Sequence, residues 1–286
     1  METNKAGMSR REALGALGAW TLSGLAARGA ESGKKAGIAL QLYTLRDPAK
    51  KDLADTLKKA ADMGWKYVQW SGMPGLSADQ IRAALDKAGL QCIAAHVGIE
   101  AFEKKFDEQV AFWKTVGAKD VAPGGMMKDC TATLEAWKKG AQRLDELGGK
   151  LRAAGMRLSF HNHSMEFGKF PEDPRAKLDI LMESTRPENL CSELDLAWAA
   201  TGGADPAAYI RKFRNRCPVV HAKDVAIDGK KHTLKPLGQG SLKWNDIFAA
   251  GKESGIEWYV YEQDSGEGSP FDYARASLEF LSRQSL

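Results

Sequence analysis

From Gly37 onward the chain repeats one pattern: a short β-rich run, an amphipathic helical segment, commonly a glycine, and then the next β-rich run. Strands that alternate with helices in this way pair in parallel, because each helix returns the chain to the starting edge of the sheet. The first run is Ile38 to Thr44, followed by a helix from Leu53 to Met63 with Leu53, Leu57, Ala60 and Ala61 on one face and Gly64 as its stop. Tyr67 to Trp70 reads as the second strand. Ser77, with Gln80 three residues on, opens a helix that closes at Gly89 ahead of the strand Gln91 to His96. A helix through Phe112 and Trp113, a strand from Asp120 to Pro123, a long helix from Thr133 to Ala154 and a strand from Arg157 to His161 continue the series. Further strands fall at Leu190 to Asp195, Pro218 to Lys223 and Trp258 to Glu262. Their helices lie around Leu178 to Met182, from Asp205-Pro206, over Trp244 to Ser254 and over Phe271 to Leu281. About eight β/α units in roughly 250 residues is the size of a single α/β domain, a (β/α)8 TIM barrel, spanning residues 36–286. A doubly wound open sheet shares the alternation, but its Gly-x-Gly-x-x-Gly turn is missing after the first strand, where Leu45-Arg46-Asp47-Pro48 stands.

Composition narrows the function classes. With 286 residues, 43% of them hydrophobic, the chain can bury one substantial core. The 41 Lys and Arg residues exceed the 37 Asp and Glu residues only slightly and are interspersed with them, which argues against nucleic acid as a partner. No apolar run reaches the roughly 20 residues that span a bilayer. Cys92, Cys130, Cys191 and Cys217 form no Cys-x-x-Cys pair and read as free thiols. Residues 1–30 differ in kind: Ser9-Arg10-Arg11 precedes an uncharged, Ala-, Gly- and Leu-rich stretch from Ala13 to Ala27. This is the layout of a signal peptide, and the paired arginines resemble the twin-arginine export signal, which implies a protein folded before export to the periplasm.

The active site of such a barrel lies at the carboxyl ends of its strands, so the polar residues that close each strand are the candidates. They are His96; His161-Asn162-His163 with Glu166 just beyond; Glu193 and Asp195; His221-Ala222-Lys223-Asp224; and Glu262-Gln263-Asp264. Residues two apart share a strand face, which groups Ser159 with His161 and His163, Cys191 with Glu193 and Asp195, Val219 with His221 and Lys223, and Val260 with Glu262. Carboxylates and imidazoles converging from several strands are costly to desolvate without positive charge, and a divalent metal with mixed O and N ligands supplies it. Position alone selects Asp195, His221 and Glu262 as ligands. Asp224 and Asp264 read as a cap and a rim residue. Gln41, His96, His163, Trp70 and Trp198 are the candidate substrate contacts; for the two tryptophans, stacking on a sugar ring competes with core packing.

These motifs, together with Gly238-Gln239-Gly240 leading to Trp244, resemble the xylose isomerase-like barrel superfamily of sugar isomerases and epimerases, which also includes inosose dehydratase and endonuclease IV. The likeness spans nearly the whole mature chain. It implies a metal quartet of a glutamate from strand five, an aspartate from strand six, a histidine from strand seven and a glutamate from strand eight. Asp195, His221 and Glu262 match three of these. At the strand-five position many members carry glutamate where this chain has His161, so either His161 coordinates directly or Glu166 returns from the loop; the resemblance favours Glu166 as ligand and His161 beside the substrate. The implied cofactor is a divalent ion (Mn, Mg, Co or Zn). The implied activity is isomerisation or epimerisation of a sugar or keto-sugar through an enediolate, with Glu262 and either Glu166 or His161 moving the proton and Lys223 neutralising the enolate oxygen. A metal-dependent lyase or dehydratase acting on a keto-sugar or keto-glycoside, and a non-catalytic sugar-binding barrel, are the alternatives. The expected partner is a small-molecule sugar, with no nucleic acid and, after signal removal, no membrane; self-association stays open.

The export reading makes a direct prediction. Replacing Arg10 and Arg11 by lysine is expected to retain the protein in the cytoplasm, measured by cell fractionation; unchanged periplasmic recovery would rule out the twin-arginine route.

Overall fold

Among the described residues, eight strands close into a barrel in which every neighbouring pair is parallel. They are β1 (Gly37–Gln41), β2 (Tyr67–Trp70), β3 (Gln91–His96), β4 (Asp120–Ala122), β5 (Arg157–His161), β6 (Cys191–Asp195), β7 (Val219–Ala222) and, after the hairpin β8 (Asp224–Asp228) and β9 (Lys231–Lys235), the last barrel strand β10 (Trp258–Tyr261). Around the barrel the order is β1-β10-β7-β6-β5-β4-β3-β2. The structure, a computed structural model, describes Met1 and residues 35–286, and the latter form one unit; the signal-peptide reading of residues 1–30 lies outside the described residues. The expected (β/α)8 barrel is the observed fold.

Local chemistry sets the element ends. Ser77 accepts from Gln80 N while the Gln80 side chain accepts from Ser77 N, a capping box that starts the helix Ala78–Ala88, and Gly89 ends it with φ +74°. Asp205 caps the helix Pro206–Lys212, with Pro206 in its first turn. Leu40, Val68, Phe160, Leu194, Val220 and Tyr259 point outward into the layer between barrel and helices, where they meet Leu57, Ile81, Leu85, Leu144 and Leu151.

The barrel interior is where the period of two matters. At the strands' amino ends Ala39, Val219 and Val260 fill the axis as a fully buried apolar layer, with Tyr67, Ile93 and Trp258 packed against it. One pleat further on, the inward positions are Gln41, Gln69, Glu193 and His221, all with no exposed surface. The interior therefore changes from apolar to hydrogen-bonding within two residues along each strand, and the polar layer lies towards the mouth. All four cysteines are free thiols, and burial pushes Cys92 and Cys217 up to about 12. Among the described residues no helix is long and apolar enough to cross a membrane.

Two expectations about elements change. The first strand stops at Gln41, and Leu42–Leu45 forms a single 3-10 turn that packs Leu42 and Leu45 into the core. Beyond Lys223 the chain makes an antiparallel excursion, with Asp224–Asp228 pairing Lys231–Lys235 and Gly229 (φ +57°) in the two-residue turn. Asp224 clamps the base of this hairpin. Its Oδ1 accepts from Val225 N at 2.8 Å and Leu242 N at 3.4 Å, and its Oδ2 accepts from Gly238 N at 2.8 Å, Gly240 N at 3.1 Å and Trp244 Nε1 at 2.8 Å. A Cβ at Gly240 would stand 2.1 Å from Asp224 Oδ1, so that approach requires glycine.

Replacing Asp224 by alanine strips five donors of a buried acceptor. The expected loss is about 3–5 kcal/mol of stability, read from urea denaturation. A loss below about 1 kcal/mol would mean that water or a shifted loop satisfies those donors.

Candidate functional site

The parallel register brings the strand-end side chains together. His161 on β5 lies opposite Glu193 on β6, and Asp195 on β6 lies opposite His221 on β7. Glu193 is fully buried, and its Oε1 faces three imidazoles: His96 Nε2 at 2.5 Å, His221 Nε2 at 2.9 Å and His161 Nδ1 at 3.3 Å. Its other oxygen accepts from Gln69 Nε2 at 2.7 Å. Gln69 Oε1 in turn stands 2.7 Å from His221 Nε2 and accepts from Gln41 Nε2 at 3.1 Å. Burial alone would raise the Glu193 carboxyl, but His221 and His96 beside it hold it well below the usual carboxylate range. Burial and the neighbouring His221 push His161 well below the usual imidazole range, so it stays neutral. For His221, burial is outweighed by Glu193 and Glu262, which raise it to about 10.

Directly above lies a second cluster, centred on an ammonium. Lys223 is 1% exposed, and its Nζ lies 3.0 Å from Asp195 Oδ2, 2.8 Å from Glu262 Oε2 and 2.8 Å from Asp264 Oδ2. Although burial opposes the charge, the three carboxylates raise Lys223 above its ordinary value, so it is an ammonium throughout the working range. Burial raises Glu262 too, yet Lys223 and His221 hold it well below the usual range and keep it ionised. Asp195, by contrast, is pushed up to about 6 by burial despite Lys223. Its Oδ1 caps the helix Leu196–Thr201 by accepting from Trp198 N at 2.9 Å. His221 Nδ1, 2.9 Å from Glu262 Oε2, links the two clusters.

A cavity of 330 Å³ opens above both, with His96, His161, His163, Trp198, Lys223 and Glu262 among its walls. A further cavity of 560 Å³, walled by the β8–β9 hairpin and Gln263–Glu267, shares Trp198 and Asp264 with it. Among the described residues two overlapping donor sets suit a metal ion: His96, His161, Glu193 and His221, and His161, Asp195, His221 and Glu262, the donor atoms of each lying within 4.8 Å of one another. His161 Nδ1 and Asp195 Oδ2 are buried without a hydrogen-bond partner, although each has an oppositely charged or polar atom at ion-pair distance. Orphaned donor atoms inside mixed N and O sets fit a bound divalent cation.

The structure sorts the residues singled out from the sequence. Asp195, His221, Glu262, His161 and Lys223 converge, and His96, His163 and Trp198 line the mouth. Glu166 belongs to neither donor set: its Oε2 accepts from His163 N at 2.7 Å, closing the 3-10 turn Ser164–Phe167, and the side chain is spent on that turn. Burial pushes its carboxyl up. Trp70 is 5% exposed and packs in the core between barrel and helices, because it ends β2 on the outward face. Gln41 is fully buried beneath the mouth, its Nε2 3.4 Å from His96 Nδ1, so it supports His96 from below instead of facing a ligand. Glu193 is a strand-end candidate that the selection of ligands passes over, and Gln69 is in neither group. Period two already placed Glu193 on the face of Asp195, and applied to β2 it places Gln69 inward as well.

This geometry agrees with what the chain is similar to. A family model described as xylose isomerase-like TIM barrel matches residues 57–284. The inosose dehydratase of Lacticaseibacillus casei is 27% identical over 167 residues, 52% of this chain and 55% of that protein, so the match spans about half the relative's length. The inosose dehydratase of Clostridium beijerinckii is 24% identical over 261 residues, 78% of this chain and 84% of that protein. Among solved structures, a sugar phosphate isomerase/epimerase from Parabacteroides distasonis superposes with a TM-score of 0.73 at 20% identity, covering 88% of this chain and 95% of that one, a likeness of fold. With the closed parallel barrel, its polar inner layer and a family match over most of its length, the chain belongs to the xylose isomerase-like TIM barrel family.

Proposed function

We propose that the chain is a divalent-metal-dependent isomerase or epimerase of a sugar or keto-sugar that works through an enediolate. The observation that carries this reading is the lining of the mouth cavity, where an ammonium (Lys223), an ionised carboxylate (Glu262) and a neutral imidazole (His161) face one space above a metal-fitting donor cluster. A bound divalent cation supplies Lewis-acid polarisation of a carbonyl and its neighbouring hydroxyl. The chain's own groups do the rest. Glu262 accepts the proton from the hydroxyl-bearing carbon beside the carbonyl, and His161, held neutral, returns or relays it. Lys223 Nζ donates to the oxygen on which negative charge develops, a role that needs a permanent ammonium and not a base. Trp198, whose ring lies 5.2 Å from Lys223 Nζ, offers an apolar face to the C–H side of a sugar. The reading of residues 1–30 as an export signal belongs to the same proposal and favours unphosphorylated, oxidised sugars or glycosides as substrates, because free phosphosugars are mainly intracellular.

The similarity to inosose dehydratases supports a second reading, a lyase or dehydratase. The same enediolate then expels a hydroxyl or alkoxyl group from the β carbon instead of being reprotonated, and that group takes up the proton Glu262 accepted and leaves as water or an alcohol.

Metal-loaded protein is expected to move solvent deuterium into the carbon beside the carbonyl of a keto-sugar, followed by NMR, with Lys223→Met slowing the exchange about 100- to 1000-fold. His221→Ala, which removes a donor common to both sets, is expected to abolish metal binding and exchange together. The lyase reading instead predicts release of water or an alcohol and an ultraviolet-absorbing enone. Absence of both exchange and elimination across a panel of keto-sugars would leave a binding protein.

A further inference from the structure

The mouth cavity holds one sugar ring beside the catalytic groups, since its 330 Å³ sits near the lower end of the roughly 300–1,000 Å³ usual for small-molecule sites. The 560 Å³ cavity next to it is larger, and the two share Trp198 and Asp264 in their walls. A third cavity, of 580 Å³ on the far side of residues 263–266, shares Asp264 alone with the mouth and none of its aromatic side chains. Extension of the site therefore runs past Trp198 towards the β8–β9 hairpin.

Both walls of that second compartment are fixed before any ligand arrives. The hairpin is held at its root by the five donors to Asp224. Across from it, Arg46 Nη2 donates to Asp264 O at 2.8 Å, Gln263 Nε2 donates to Ser265 O at 3.0 Å, and Gly268 N donates to Tyr273 Oη. A Cβ at Gly266 would stand 2.3 Å from Tyr273 Cε2, so this segment packs directly on the tyrosine ring. Preformed walls lose little freedom on binding.

The lining indicates what the compartment takes. Thr233 and Ser265 bring hydroxyls and Gln239 an amide, groups that both donate and accept, as ring hydroxyls do. Lys231 and Lys235 on the hairpin stand against Glu267 and Asp264, so neither sign of charge prevails. Trp198 and Tyr273 supply apolar faces for C–H groups. Scattered hydroxyls around an apolar face describe the surface of a neutral sugar.

We propose that this cavity is the subsite for a second sugar ring, so that the substrate is a neutral glycoside of at least two rings. The oxidised ring lies in the mouth, the second lies between the hairpin and residues 263–267, and the glycosidic bond passes beside Trp198. The inference rests on the proposed reaction on a keto-sugar and names its substrate class.

The test is binding of sugars that cannot react. Methyl glucoside, methyl maltoside and methyl cellobioside carry no free carbonyl; their affinities for the metal-loaded full chain are measured by calorimetry, and saturation-transfer NMR shows which rings touch protein. At least one disaccharide is expected to bind about tenfold more tightly than methyl glucoside, the worth of roughly two net hydrogen bonds, with both rings in contact. Replacing residues 227–232 by Asn-Gly closes the hairpin on the register pair Ala226 and Thr233 with a two-residue turn and removes Lys231 and His232 from the cavity wall. This variant should lose the disaccharide advantage, bind methyl glucoside within about twofold of wild type, and exchange deuterium into a keto-monosaccharide at the wild-type rate. Thr233→Trp, which fills the cavity from the hairpin without shortening it, should do the same; thermal unfolding checks both, and Thr233→Trp decides if the shortened chain does not fold. No binding of either disaccharide, equal affinity for one-ring and two-ring sugars, or a loss in the variants common to both would overturn the subsite, while deuterium exchange in the wild type would still uphold the proposed reaction. Tighter binding of phenyl glucoside than of either disaccharide would overturn it too, because the cavity would then take an aromatic group. Tighter disaccharide binding without exchange or elimination on any keto-sugar would overturn the reaction and leave the subsite standing.

Discussion

A carboxylate with no exposed surface near the axis of a barrel is tolerable only when its charge is answered at close range, and Glu193 is answered from four strands. His96 comes from β3, His161 from β5, His221 from β7 and Gln69 from β2, so the requirement to compensate one buried charge fixes the mutual positions of side chains far apart in sequence. The price is an interior layer that is polar where barrels are usually filled by branched apolar residues. The apolar layer of Ala39, Val219 and Val260 at the amino ends keeps the barrel packed, which leaves the carboxyl half free for chemistry.

Above that layer, charge is handled by a different device. Lys223 neutralises part of a nest of three carboxylates with a covalently tethered cation, and His221, touching Glu193 on one side and Glu262 on the other, couples the two levels. An ammonium on a chain segment stays in place when solution conditions change, whereas an exchangeable ion does not. At the mouth this fixed ammonium is the charge that holds Glu262 ionised.

Much of this was legible in the sequence. The alternation of strand and helix announced the barrel, and the rule that strand ends carry chemistry located Asp195, His161, His221, Lys223 and Glu262, because both depend on local period and chain order. What was missed depended on strand register, on local hydrogen bonding and on single-residue phase. Glu193 shares a face with Asp195, but its pairing with His161 follows from the β5–β6 register, which no single strand encodes. Glu166 has the right charge a few residues past β5, yet local hydrogen bonding to His163 N claims it. Trp70 lies one residue after the inward Gln69, and that single step turns it from the mouth to the core. The β8–β9 hairpin carried a signal in Asp228-Gly229, a dipeptide suited to a two-residue turn, but its polar strands offered no apolar alternation to draw attention to it.

Among the described residues that hairpin pairs with no other strand and is fastened at its root by Asp224, so its second strand lines one wall of the larger cavity without contributing a rung to the barrel. Residues between Ala226 and Thr233 are thus exchangeable in length and composition at little risk to the register beneath. Such a loop is a natural graft point: exchanging it between barrels of this kind would reshape what fits beside Trp198 and leave the buried histidines where they are.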